Sequence, residues 1–114
     1  MFAHERFEAY QISLRFLQKA IYLTAQLESG NAAIKDQFKR AASSISLNIA
    51  EGSGRTSKLE RRRFYSFARG SAMECAAICD IVGLLDEKLS DEVSQAKDLL
   101  NSIVGILTTV CSDK

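Results

Sequence analysis

Between Ile34 and Leu85 apolar residues recur every three or four positions, and the one break in that rhythm is Gly52-Ser53-Gly54. On one side Ile34, Phe38, Ala41, Ile45 and Ile49, with Ala42 beside them, mark one face of a helix. On the other, Phe64, Ala68, Ser71, Cys75, Ile78, Val82 and Leu85 repeat at heptad spacing, a coiled-coil-like seam. Two glycines so close together make helix continuation costly, so the first of these helices is predicted over about Ala32 to Gly52. Ser57-Lys58-Leu59-Glu60 matches a capping box, in which serine and glutamate each satisfy an orphan backbone donor. It predicts a helix starting after Thr56 or Ser57 and ending near residues 86–88.

The flanks follow the same rule. From about Arg6 to Glu28, Phe7, Tyr10, Leu14, Leu17 and Ile21 form one stripe, and Ile12, Phe16, Ala20, Leu23 and Leu27 form a second. Such a rod is about 30 Å long, and Gly30 suits a left-handed position at its end. A last helix opens at Ser90 with Asp91 and Glu92 in its first turn, where acids favour the helix dipole. Val93, Ala96, Leu100, Ile103, Leu107 and Val110 are its stripe, with Leu99 and Ile106 alongside, and it frays into Ser112-Asp113-Lys114. Met73, Ala77, Ile81 and Leu84 give the third helix a further apolar stripe, predicted to be buried like the first. Short connections force successive helices antiparallel. The predicted fold is all-α, an up-down-up-down antiparallel four-helix bundle in one domain, residues 1–114. Apolar surface in excess of what one core needs argues for self-association.

Composition agrees. A hydrophobic share of 46% and a charged share of 25% are those of an ordinary globular chain, and the absence of proline favours helices over a loop-rich fold. No run approaches the roughly 18 apolar residues a membrane span needs. The start, Met1-Phe2-Ala3-His4-Glu5-Arg6, lacks the order of a signal peptide, so a cytoplasmic protein with no membrane partner is expected. Cys75, Cys79 and Cys111 are an odd number without metal-site spacing; they read as buried structural cysteines, and no metal or cofactor is expected.

A net charge of +1 hides a polarised chain. Residues 35–69 hold nine bases against three acids, and residues 70–114 hold three bases against eight acids. Such asymmetry steers an anionic partner even on a nearly neutral protein. The candidate nucleic-acid-binding residues are Arg55, Lys58, Arg61, Arg62, Arg63 and Arg69 near the corner, with Lys39 and Arg40, and Lys35 beside them, on the preceding helix. Guanidinium groups grip phosphates in a salt-dependent, sequence-indifferent way; the plainer reading is a solvated face with intersubunit ion pairs. Arg61, Arg62 and Arg63 stand about 100° apart on a helix, so at least one packs against a neighbour.

Enzymatic readings find little support. Gly52-Ser53-Gly54-Arg55-Thr56-Ser57 has the wrong order for a phosphate loop and follows no strand. Asn48, Glu51 and Arg55 lie near one face, and a Glu51–Arg55 ion pair fixing the corner is the expected use of that spacing. His4, the single histidine, falls in a terminus expected to be mobile. Tyr10, Tyr22 and Tyr65 read as packing residues, although Tyr65 among basic neighbours can stack on a base.

Phe7-Glu8-Ala9-Tyr10-Gln11, then Lys39-Arg40-Ala41-Ala42-Ser43-Ser44-Ile45, then Asn48-Ile49-Ala50-Glu51-Gly52-Ser53-Gly54-Arg55, resemble the bacterial four-helix proteins of the 23S rRNA intervening-sequence family over nearly the whole chain. That family is similar to the accessory variability proteins of diversity-generating retroelements, pentameric barrels whose basic surface binds nucleic acid and a reverse transcriptase. The resemblance implies a bacterial, non-catalytic homo-oligomer, a pentamer, that binds RNA or DNA. Asn48, Glu51, Gly52 and Gly54 are then a structural signature. The alternative is an adaptor docking an acidic or reverse-transcriptase-like protein without nucleic-acid affinity. Where family members usually carry a helix-kinking proline, this chain has Ser46.

Overall fold

The computed structural model describes residues 1–112. A short 3-10 turn, Ala3–Arg6, leads into four helices: α1 (Glu8–Gln26), α2 (Ala32–Ser53), α3 (Lys58–Leu85) and α4 (Ser90–Val110), with a second 3-10 turn, Glu87–Leu89, before the last. Each helix packs on its sequence neighbours, and α1 closes the bundle against α4. The result is an up-down-up-down bundle measuring 44 × 22 × 21 Å, without strands among the described residues.

The core is assembled from the predicted stripes. Phe16, Ala20 and Leu23 of α1 meet Phe38, Ala42, Ile45 and Ile49 of α2, Cys75, Cys79 and Val82 of α3, and Ile103 and Leu107 of α4, all fully buried. Phe16 and Phe38 meet edge to face with centroids 6.0 Å apart. Hydroxyls stitch the helices inside this apolar setting. The Ser13 hydroxyl donates to the Tyr10 carbonyl oxygen at 2.6 Å. With its one proton used, it accepts from Ser46 of α2 at 2.8 Å. The hydroxyls of Ser44 and Ser71 join α2 to α3 at 2.9 Å. Lys19 and Glu92, 2.5 Å apart, clasp α1 to α4.

Several expectations need correcting. The stripe Met73, Ala77, Ile81 and Leu84 is not buried; it faces outward on α3. Leu14 and Ile21 of α1 and Leu85 at the end of the heptad seam are exposed as well. A bundle of four helices presents each helix to two neighbours, so one broad stripe per helix reaches the core and the second is left over. The corner glycines do end α2, which stops at Ser53, one residue past the expected Gly52; Gly54 caps it in a right-handed conformation at φ −85°, its N–H bonded to the Ala50 and Glu51 carbonyls at 3.2 Å. Gly52 is there for space: a Cβ would stand 2.9 Å from two ring carbons of Tyr65 and 3.1 Å from Cβ of Phe64. Among the described residues only Gly30 takes the left-handed conformation, φ +101°, in the turn between α1 and α2. His4 is held in the first 3-10 turn, its ring edge-on to Tyr10 at 4.5 Å. The fraying proposed at Asp113 and Lys114 lies outside the described residues.

Candidate nucleic-acid interface

The antiparallel order brings the start of α1, the end of α2, the start of α3 and the end of α4 to one end of the bundle. That end carries Arg6, Arg55, Lys58, Arg61, Arg62 and Arg63. Ser57 starts α3 by accepting the Glu60 N–H at 3.3 Å, which leaves Lys58 exposed in the first turn. The predicted Glu51–Arg55 pair forms at 2.7 Å. The Arg55 guanidinium also lies over the Phe64 ring, 4.9 Å from its centroid. Arg63 sits 5.9 Å from the Phe64 centroid, 5.4 Å from that of Phe67 and 3.7 Å from the Glu60 carboxylate. Phe64 and Phe67 pack edge to face at 5.8 Å. Arg55, Phe64, Arg63 and Phe67 thus form a surface ladder on which two guanidiniums are held by ring faces, a contact worth about 0.5–1 kcal/mol at an exposed site.

The other basic residues divide. Arg61 turns back and donates to the carbonyls of Arg55 and Thr56 at 3.0 and 2.9 Å, tying the corner to α3. Arg61 and Arg62 are both half-buried against their own chain, and Arg63 is the exposed member of the triplet. Arg62 is half-buried toward α4, where its carbonyl accepts the Cys111 thiol at 3.7 Å. Arg69, half-buried, donates from Nε to the Thr108 hydroxyl at 2.8 Å. Lys39 and Arg40 do not join the corner. Arg40 lies fifteen residues before Arg55 on α2, about 22 Å along the axis, and pairs with Asp36 at 2.5 Å. Charge counting along the sequence merges these groups; helix rise separates them.

Within the signature, the Asn48 amide donates to the Ser44 carbonyl at 2.9 Å and so braces α2 from within. Tyr65 is not free to stack on a base. Its ring leans on Phe7 at 5.4 Å and its hydroxyl bonds Ser53 at 2.9 Å. The aromatic residue the sequence reading missed is Phe67, 46% exposed beside Arg63. Its position four after Arg63 and three after Phe64 was the available signal.

Residues 5–109 match the family described as 23S rRNA-intervening sequence protein. The chain belongs to that family. No curated protein matches it. Against the proline that the resemblance implies, this intervening-sequence protein keeps α2 continuous through Ser46, whose hydroxyl serves the buried bond to Ser13.

Two of the three cysteines of this intervening-sequence protein are buried as expected, whereas Cys111, just past the end of α4, is half-buried. Cys75 and Cys79 are fully buried, and burial, reinforced by neighbouring negative groups, pushes both thiols up to about 12. Burial also raises Cys111. Among the described residues no cluster of three or more ligating side chains is suited to a metal, and no helix is long and apolar enough to cross a membrane. The raised thiols have a consequence for stability. An unfolded thiol ionises near pH 9 while the folded one keeps its proton, so the native state binds more protons between the two values. Stability is expected to be unaffected by these thiols below about pH 8 and to fall as pH rises from about 9 to about 12. Chemical denaturation of wild type beside Cys75→Ala/Cys79→Ala across that range checks it, since the double variant should lose that share of the slope.

Proposed function

We propose that this protein is a non-catalytic, self-associating four-helix bundle that holds the backbone of RNA or DNA at its basic end. The observation that carries the reading is the Arg55–Phe64–Arg63–Phe67 ladder beside Lys58, in which guanidiniums are oriented before any ligand arrives. A preoriented guanidinium loses less side-chain freedom on meeting a phosphate oxygen. Repetition around an oligomer, five subunits by the resemblance, multiplies one weak grip into useful avidity. Charge neutralisation of this kind reads no sequence and weakens steeply with salt.

Fluorescence-anisotropy titration of a structured RNA and a duplex DNA at several salt concentrations tests the reading. Wild type should bind with affinity that falls linearly in log–log form. Lys58→Glu/Arg63→Glu, two exposed positions whose reversal leaves the core intact, should weaken binding at least tenfold and flatten the salt slope. Absence of binding at low salt would reject it. One observation favours a second reading in that event: Arg55 and Arg63 already lie beside carboxylates, at 2.7 and 3.7 Å. A surface that accommodates carboxylates also suits an acidic protein, a reverse-transcriptase-like partner among them.

A further inference from the structure

Away from the basic end, α3 and α4 enclose a groove of about 560 Å3 that the bundle leaves open. Two contacts set the register across it. Lys97 of α4 reaches Asp80 of α3 at 2.7 Å, and Gly83 faces Val93, where an added Cβ would stand 3.9 Å from Cγ1. The floor is Cys79 and Val93, both buried. The α3 wall is Asp80, half-buried Gly83 and Leu84, the last 84% exposed.

The α4 wall is of another kind. Asp91, Ser94, Asp98, Asn101 and Gly105 recur at steps of three and four, so they share one face, and all five are exposed. None carries a large apolar side chain. Gly105 puts a poor helix former inside α4, yet a Cβ there would meet no described atom within 4 Å, so the bundle itself does not use the space. Side chains this short let another helix approach to about 8 Å between axes, the close end of helix packing.

Charge then limits what fits. Lys97 is the one base among the described residues that line the groove, and Asp80 holds it. Asp91 and Asp98 stand one heptad apart, about 10 Å along the axis. Neither is in an ion pair among the described residues. The groove thus offers an apolar wall on α3 and an uncompensated acidic strip on α4. An acidic segment fails the second, and a purely apolar one leaves both carboxylates facing hydrocarbon.

We infer that this groove is a docking site for a basic amphipathic helix of another protein, which lies as a fifth helix along α3 and α4. Its apolar stripe covers Leu84 and Gly83, and lysines or arginines along one edge meet Asp91 and Asp98. Bases one heptad apart match carboxylates one heptad apart, because both helices have the same rise. Helix-in-groove recognition of this kind reads anchors at i, i+3, i+4 and i+7. Apolar burial supplies affinity, and the aspartates select against acidic helices. The site is separate from the basic end and does not depend on the nucleic-acid reading.

The test titrates isotope-labelled protein, followed by NMR, with a synthetic helix of about 18 residues, five turns, that carries leucines on one stripe and lysines along its edge. One control peptide has glutamates for the lysines, and another has the same composition in scrambled order. Amide signals should shift at Gly83, Ser94, Asp98 and Gly105, and both controls should bind at least tenfold more weakly. Asp91→Lys/Asp98→Lys, at exposed positions, should weaken the lysine helix at least tenfold and strengthen the glutamate helix, a reversal that damage to the fold does not produce. Ser94→Trp, which fills the groove without changing its charge, should weaken the lysine helix as well. No shifts at up to about 1 mM peptide, equal binding of the scrambled peptide, or lysine-helix binding unchanged by the aspartate reversal would each overturn the site. Seam amides that respond to dilution of the protein alone and not to peptide would assign the groove to a second copy of the chain and overturn it too.

Discussion

Phe38→Ala is expected to lower the stability of the bundle by about 3–5 kcal/mol, the range for truncating a buried phenylalanine. Phe38 has no exposure and its ring meets Phe16 edge to face at 6.0 Å. The loss joins three effects: transfer of the ring to water, the cavity left between α1 and α2, and the aromatic pair itself. The neighbouring Phe16, Ala42 and Ile45 are themselves fully buried, so collapse into the gap is restricted. A chain of 114 residues has a total stability of roughly 5–15 kcal/mol, so the variant gives up about a fifth of it or more. Urea unfolding followed by circular dichroism should show a lower midpoint at unchanged slope. A loss under about 1 kcal/mol would mean that Phe38 is not the centre of the core.

Gly52→Val is expected to be nearly as damaging, at about 3 kcal/mol, for the opposite reason. Even the first added carbon falls 2.9 Å from the Tyr65 ring, inside van der Waals contact. The ring cannot step aside cheaply, because Phe7 backs it at 5.4 Å and Ser53 holds its hydroxyl at 2.9 Å. Overpacking of this kind typically costs 1–3 kcal/mol, and the second and third carbons of valine put the change at the upper end. Relief offers a check on the cause. Gly52→Val combined with Tyr65→Ala should recover part of the loss, a coupling that a purely conformational role for Gly52 would not produce. Equal costs with and without the tyrosine would refute the steric account.

The ladder of arginines and phenylalanines was only half legible in advance. Arg55, Lys58 and Arg63 were named from charge, and they do lie together at one end. Their phenylalanine supports are not legible that way, because heptad spacing assigns Phe64 to the core, whereas it is half-buried outside the core cluster and lies against Arg55 and Arg63. Lys39 and Arg40 were grouped with the corner because a count over residues 35–69 ignores distance along the helix. Glu51–Arg55, by contrast, was readable, since an i,i+4 pair is settled by local geometry alone.

What the sequence determined by itself was the number of helices, their order and the apolar stripes each one carries. Phe38, Ala42, Ile45 and Ile49, or Val93, Ala96, Leu100 and Ile103, are buried in the positions their spacing dictates. Periodicity is a property of neighbours within one helix, so nothing beyond the chain's local rhythm is needed to see it. Which of two apolar stripes reaches the core is a different matter. Only the packing of four helices decided that Ile12, Phe16, Ala20 and Leu23 go inside while Leu14 and Ile21 stay out, and that Met73, Ala77, Ile81 and Leu84 face solvent. The same holds for Gly52, whose meaning depends on a tyrosine thirteen residues away on another helix. Burial and close approach are relations between elements, and they exist only once the elements have met.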